Sequence, residues 1–361
     1  MRFRSLCSVR KPLIGSNSWY RSIVTNCRAV VLPRFGGPEV LEIHSNLEVP
    51  DLKPNQVLVR ARAVSVNPLD TRVRSELDDL DVLGGTIRSG YGRSIFEPLV
   101  PVILGRDISG EVAAVGRSVT SLRLGKKSLG HYILLPSEDA SAIPFAALTA
   151  WRALRSTARI SEGHRVLVIG GGGAVGFSAI QLAVAVGCHV VTTCAGQSIE
   201  QALAAGAEQA VDYTIEDMEL AIKGQFDAVL DTIGTEDTER AGINLTRKGG
   251  HYMTLQGEAA SLADRYGLAL GLPLSSGLLW KKQLQYWYSH GIDYSWTYMR
   301  ADAEGLDEIR RLLEAGKLKV PVEKTFPIEQ VREAHEAKDK RLIHVGCMAV
   351  ADEHLLQWHG N

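Results

Sequence analysis

The stretch Val166 to Gly187, VLVIGGGGAVGFSAIQLAVAVG, narrows the possible folds of this 361-residue chain more than any other. A β-branched run ends in four glycines, and an alanine-rich amphipathic run follows. Gly171-Gly172-Gly173-Ala174-Val175-Gly176 fits G-x-G-x-x-G, placed after the strand run Arg165 to Gly170 and at the opening of a helix. Glycine lets the backbone turn tightly and approach a pyrophosphate. The helix N-terminus then offers free N–H groups and a positive dipole end to the phosphates. The spacing therefore points to a dinucleotide-binding turn, against the plainer alternative of a glycine-rich structural turn.

The surrounding pattern supports the first reading. Helix Ala174–Val186 is followed by strand His189–Cys194, helix Ile199–Ala205 and a strand around Ala210–Tyr213. Then come strand FDAVLDTIG, a helix near Thr238–Leu245 and strand GGHYMTLQG. Such alternation predicts an α/β fold with a doubly wound parallel sheet of the Rossmann type. A carboxylate about 20 residues past the turn would read the 2′-hydroxyl of an NAD ribose. Here TTCAGQSIEQ has none before Glu200 and offers small polar groups such as Ser198, so NADPH is expected ahead of NADH. The first hundred or so residues differ: they read as strands broken by Gly-Pro and Asn-Pro turns. The tail returns to helix in GLDEIRRLLEAG and EQVREAHEAKDKR.

Composition excludes several classes. With 45% apolar and 22% charged residues, the chain is an ordinary globular protein. Residues 1–26 carry Arg2, Arg4, Arg10, Lys11 and Arg21 and no acid, so with a net charge of −1 overall the remainder is close to −6. An acidic body argues against nucleic acid as a partner. The Arg- and Ser-rich opening lacks the apolar centre of a secretory signal and reads as a mitochondrial presequence. A plastid address or a basic tail is the alternative. None of the five cysteines forms a CxxC pair. Tyr266 to Trp280 is uncharged but contains Pro273 and is shorter than the ~20 residues a span needs, so an integral membrane protein is not expected.

A Rossmann region behind a β-rich region resembles the medium-chain dehydrogenase/reductase superfamily, whose β domain is GroES-like. In its zinc alcohol dehydrogenases a Cys follows the first-domain strand and a His-Glu pair lies in a GHE segment. Here VSVNPLD puts Asn67 at the first place, and LGRDISGEVAAVG puts Arg106-Asp107 at the second. A catalytic Zn²⁺ takes about three protein ligands, so the resemblance implies no zinc. The motifs SVNPLD, AIPFAALTAW, GGGGAVG, AGAEQAVDY, FDAVLDTIG and KTFPIEQVREAHEA are similar to those of the zinc-independent quinone/enone reductase branch, nearest its mitochondrial reticulon-interacting-protein-like members. The resemblance implies a presequence over 1–26, a GroES-like domain over 27–142 and 300–361, and a Rossmann domain over 143–299.

Carried over by position, the resemblance puts the pyrophosphate on Gly172, Gly173, Ala174 and Val175. It puts the adenosine ribophosphate near Ala195, Ser198 and Tyr213, and the nicotinamide half near Leu255, Thr297 and Met299. The activity implied is hydride transfer from NADPH to a small-molecule quinone or α,β-unsaturated carbonyl, in a possible homodimer. Asn67 and Asp70 are candidates at the reacting end, although Asn-Pro-x-Asp also serves simply to cap a turn. Tyr91 is a further candidate, as proton donor. His251, His290 and His335 are isolated and expected to be structural. The cluster YWYSHGIDYSWTY, Tyr286–Tyr298, fits either a wall for a flat substrate or plain packing. A short-chain dehydrogenase is excluded, since none of the ten tyrosines has Lys four residues on.

Three segments depart from the family. Ser75–Arg88 reads as an inserted loop between two Arg-Ser pairs. KKSLGHYILLPSED, between Gly125 and Ala140, stands where several tens of residues close the β domain, which is therefore expected to be shortened. After Ile343, HVGCMAVADEHLLQWHGN replaces a Gly-Lys-led final strand. Missing strands would leave a sheet edge unpaired. The alternative function is thus a cofactor-binding but catalytically weak interaction protein, or an inactive splice or gene-prediction variant.

Overall fold

In the computed structural model the described residues are 26–75, 100–105, 107–119, 144–300, 302–319, 322–340, 342–343 and 347–350. The basic opening, the expected insert beyond Ser75, Tyr91 and the short segment 126–139 lie outside them.

The β-rich region begins with β1 (Asn26–Leu32), β2 (Glu42–Glu48) and β3 (Val57–Ser65), followed by helix α1 (Pro68–Ser75). Strands β4 (Val102–Ile103) and β5 (Ile108–Val115) complete its first part. The Asn-Pro pair thus opens a helix where the sequence suggested only a turn. Proline is at home in the first helical turn, where its missing N–H has no partner to lose. The Asp70 carboxylate accepts the Asn67 N–H at 2.8 Å.

Helix α2 (Pro144–Trp151) runs into a π-helical turn, Arg152–Thr157, and leads to β6 (Arg165–Ile169). The chain then alternates: α3 (Ala174–Val186), β7 (His189–Cys194), α4 (Ile199–Ala204), β8 (Gln209–Asp212). It continues with α5 (Met218–Ala221), β9 (Phe226–Asp231), α6 (Glu236–Leu245) and β10 (Thr246–Thr254). Helix α7 (Ala259–His290) and β11 (Asp293–Trp296) follow. These six strands form one sheet in the order β11-β10-β9-β6-β7-β8, with every neighbour parallel. Strand order reverses at β6, so the crevice at the carboxyl ends of β6 and β9 is the topological switch point, where such sheets take ligands.

Period-2 alternation explains why both faces are covered. Val166 and Val168 of β6 join one apolar core with Ala179, Ile180 and Ala183 of α3. Leu167 and Ile169 point the other way, into a second core with Ile243 of α6 and Tyr294 of β11. Burying each such side chain contributes about 1.5–3 kcal/mol.

Helix α7 runs through Pro273, the residue that interrupts the uncharged stretch Tyr266 to Trp280. Gly267 does break it locally (φ 74°, ψ 163°), but packing of Leu279 and Tyr286 against the second core holds the remainder helical. Tertiary contact overrides local propensity here.

The tail supplies α8 (Ala303–Glu314), β12 (Lys324–Pro327), α9 (Val331–Asp339) and β13 (Cys347–Val350). β13 corrects one expectation. The departing tail still provides a strand, antiparallel to β3 (Met348 opposite Ser65) and parallel to β12. Backbone pairing is tolerant of side chains, so Cys-Met-Ala-Val serves in place of the expected sequence. The resulting sheet is β12-β13-β3-β5, and among the described residues β12 and β5 form its two edges.

Candidate functional site: a glycine turn at the sheet's switch point

The turn after β6 is built from backbone. The N–H groups of Gly170 and Gly171 both donate to the Thr193 carbonyl, at 3.0 and 2.8 Å, which ties the turn to β7. Gly173 N–H returns to the Gly170 carbonyl at 3.2 Å. The first bond of α3 runs from Phe177 N–H to the Gly173 carbonyl at 2.8 Å, and no side chain caps the helix. The N–H groups of Ala174, Val175 and Gly176 therefore precede the first i→i−4 bond and carry the positive end of the helix dipole.

Three glycines of the turn differ in what requires them. A Cβ on Gly176 would run into the Gly170 backbone, so glycine is what lets helix and strand approach. A Cβ on Gly172 would stand 2.8 Å from the Ser198 side chain. At Gly173 the nearest atom would be the Gly170 oxygen at 3.7 Å, and its φ of −89° suits any residue. Packing does not demand glycine there. Its missing side chain leaves the helix N–H groups open to approach, as a pyrophosphate requires.

Beyond β7, Ala195 is half-buried and Ser198 is buried against the turn. Tyr213, at the end of β8, is exposed, with its N–H on the Cys194 carbonyl at 3.2 Å. The sequence reading missed Asp212. Its carboxylate accepts Thr214 N–H at 2.9 Å and Thr214 Oγ1 at 2.7 Å, and also takes a bond from the Gly196 N–H. Chiefly the Thr214 hydroxyl, and then these N–H donors, hold its pKa below the usual carboxylate range. A carboxylate therefore does lie beneath the Gly196–Ser198 turn, brought from the neighbouring strand. Its place just ahead of Tyr213 at the end of a strand was the only signal.

Leu255, Thr297 and Met299 lie beyond the carboxyl ends of β10 and β11, the same end of the sheet as the glycine turn. Leu255 N–H donates to the Asp231 carbonyl at 3.1 Å, and Thr297 N–H to that of Thr254 at 2.8 Å. Leu255 and Met299 pack half-buried on the first core. The Thr297 hydroxyl is buried with no hydrogen-bond partner. A buried hydroxyl without a partner costs about 1–3 kcal/mol.

The β-rich region contributes a closed polar cluster. Asn67 Nδ2 donates to Asp107 Oδ2 at 2.8 Å and to Ser65 Oγ at 3.0 Å, and Ser65 Oγ donates to the same Asp107 oxygen at 2.9 Å. Asp107 Oδ1 accepts the Phe145 N–H at the start of α2, at 3.0 Å. Burial pushes the Asp107 pKa up to about 7, and the Asp70 charge adds to the rise. The bonds from Asn67, Ser65 and Phe145 work against it. Asn67 and Asp70 are thus both buried and both engaged, one with Asp107 and the other with the start of α1.

Tyr286 and Tyr294 stack at 5.3 Å, Tyr252 and Tyr294 at 5.4 Å, and the Tyr286 and Tyr294 hydroxyls bond Glu239. These tyrosines are packing on the second core. Buried His335 accepts from Arg74 Nε at 3.3 Å, and burial with the Arg74 charge lowers its pKa to about 3. Among the described residues no group of three or more His, Cys, Asp or Glu is placed to hold a metal ion.

Residues 53–141 match the alcohol dehydrogenase GroES-like domain, and residues 205–341 match the zinc-binding dehydrogenase family. The mitochondrial NAD(P)H oxidoreductase RTN4IP1 of Mus musculus is 30% identical over 377 residues, spanning 91% of each chain. The chain belongs to the medium-chain dehydrogenase/reductase superfamily. Another relative is the chloroplastic NADPH-dependent alkenal/one oxidoreductase of Arabidopsis thaliana. It is 29% identical over 276 residues, 68% of this chain and 66% of that one. Among solved structures, the quinone oxidoreductase from Coxiella burnetii superposes with a TM-score of 0.72 at 24% identity, covering 91% of this chain and all of that one. The β-rich region is thus a GroES-like domain, and the parallel sheet is the dehydrogenase's Rossmann sheet.

Proposed function

We propose that this dehydrogenase/reductase uses NADPH, without zinc, to reduce a quinone or an α,β-unsaturated carbonyl, and that it works in mitochondria. The glycine turn carries the reading, since it presents helix N–H groups at the switch point with nothing of the chain's own capping them. A bound NADPH supplies the hydride from its nicotinamide; the protein holds and orients it. In this reading Gly171–Gly176 take the pyrophosphate, Ala195, Ser198 and Tyr213 flank the adenosine ribose, and Leu255, Thr297 and Met299 flank the nicotinamide. The orphaned Thr297 hydroxyl fits a polar nicotinamide substituent.

NADPH is favoured because the Gly196-Gln197-Ser198 turn has no carboxylate of its own, and Asp212 below it already accepts three hydrogen bonds from the protein. Absence of zinc rests on residue type. An amide at Asn67 stands where a thiolate ligand would, and its nitrogen is spent on Asp107 and Ser65. We place Asn67, Asp70 and Tyr91 at the reacting end. The first two act by position, holding α1 and the Asp107 cluster. The domain division at 27–142 with 300–361, and 143–299, belongs to the same reading. Mitochondrial placement is supported by the basic opening and the naming of the RTN4IP1 relative, while the Arabidopsis relative keeps a plastid as the alternative.

A second reading has its own observation. Because Asn67 and Asp70 are both committed to protein partners, the chain binds NADPH yet turns over little. Incubating the purified chain with NADPH and a benzoquinone, then an enone, while following absorbance loss of the reduced nicotinamide decides between the two. Turnover supports the reductase. Binding without turnover supports the second reading, and the absence of both removes the cofactor assignment.

A further inference from the structure

Helix α7 is apolar on two faces. One, carrying Leu279 and Tyr286, packs on the second core. The other carries Leu270, Leu274, Trp280, Leu284, Trp287 and Tyr288, and all six are exposed: Trp280 by 65%, Trp287 by 56%, Tyr288 by 77%. At 100° per residue, positions 280, 284 and 287 fall within about 60° of arc, and 270 and 288 lie on its flank. A helix that is apolar all round is ordinarily covered all round. Isolated exposed apolar residues need no explanation, but a continuous stripe with two tryptophans does.

Charge narrows what covers it. Between the Asp264-Arg265 pair and Asp293 there is no acidic residue, while Lys281, Lys282 and His290 are present, in a chain whose body is acidic. Lys282 is drawn inward to Glu239, at 2.9 Å, but Lys281 lies exposed beside the stripe. Two-fold pairing with a second copy would bring these same cations together, which is unfavourable. Leucines, tryptophans and a tyrosine flanked by cations suit the headgroup region of an anionic bilayer. No helix among the described residues is long and apolar enough to cross a membrane, so the contact is one of lying on the surface.

We propose that the outer face of α7 docks the protein on an anionic lipid surface, with Trp280, Leu284, Trp287 and Tyr288 inserted among the headgroups and Lys281 facing lipid phosphates. This does not rest on the reductase reading, and its test reads binding alone. The full chain and its Trp280→Ser/Trp287→Ser/Tyr288→Ser variant are floated with phosphatidylcholine vesicles, with and without phosphatidylglycerol. Both proteins keep residues 1–26, so any binding by that basic segment cancels. The three positions are exposed, and matching circular dichroism melts verify folding. The wild type should bind the anionic vesicles about tenfold or more tightly than the variant, with less difference on neutral ones. A Trp280→Phe/Trp287→Phe variant should still bind while losing most quenching by brominated acyl chains. Equal binding of wild type and triple variant overturns the proposal. So does a lipid-free dimer of the wild type that the triple substitution dissociates, which would assign the face to a second copy.

Discussion

At the glycine turn the groups left for a ligand are backbone N–H donors of Ala174, Val175 and Gly176, and no side chain of the protein competes for them. In the Ser65–Asn67–Asp107 cluster the situation is reversed. The Ser65 hydroxyl, the Asn67 amide nitrogen and both Asp107 oxygens are already held by other residues of the chain. The first arrangement costs the folded state unsatisfied donors and gains a ready anion site. The second satisfies itself and joins β3, α1, β5 and the start of α2 into one unit. In the proposed reading, binding capacity resides where the fold leaves polar groups unpaired, and rigidity where it pairs them.

The largest expected effect breaks the turn. Gly173→Asp puts a carboxylate at the N-cap, where the backbone conformation accepts any residue and the space is free. Asp is a better cap than Gly by a few tenths of a kcal/mol, so the melting temperature should hold or rise slightly. Affinity for NADPH, measured by nicotinamide fluorescence, should fall by about 100-fold or more, since the carboxylate takes the N–H donors and repels the phosphates. Retained affinity would mean the phosphates lie elsewhere. A Gly176→Ala chain makes a contrast. Its methyl meets the Gly170 backbone, and stability should drop by about 1–3 kcal/mol in a denaturant titration.

The closed cluster should answer to pH instead. Folding raises the Asp107 pKa to about 7 from an ordinary value near 3.8. Between those values the folded state holds the extra proton, so stability falls as pH rises through this window. Asp107→Asn removes the titrating group. Its melting temperature should vary less between pH 4.5 and pH 7.5 than that of the wild type, while NADPH affinity stays within about twofold. A parallel pH dependence in both proteins would remove Asp107 from the account.

The smallest effect sharpens the comparison at a single atom. Thr297→Val deletes a buried hydroxyl with no partner. Without ligand the variant should be about 1 kcal/mol more stable, and it should bind NADPH about three- to tenfold more weakly. A loss of stability would show that the hydroxyl already has a partner.

How much of this was legible in the sequence varied with the kind of interaction. The turn and sheet were, because G-x-G-x-x-G and strand–helix alternation are local and periodic. Asp212 and Asp107 were not, because each acts on residues brought from other strands: Gly196 beside Asp212, and Asn67 and Phe145 around Asp107. The continuity of α7 across Pro273 was hidden for the same reason, as it depends on packing against Tyr294. The final strand formed from an unexpected tail, since β13 needs only backbone groups opposite β3.

The most direct test of the central claim is an equilibrium titration of the full chain with NADPH and with NADH, run beside Gly173→Asp. Saturable binding of NADPH, weaker binding of NADH, and loss of both in the variant with its fold intact are expected. Binding that Gly173→Asp leaves unchanged, or no binding by the wild type, would contradict it.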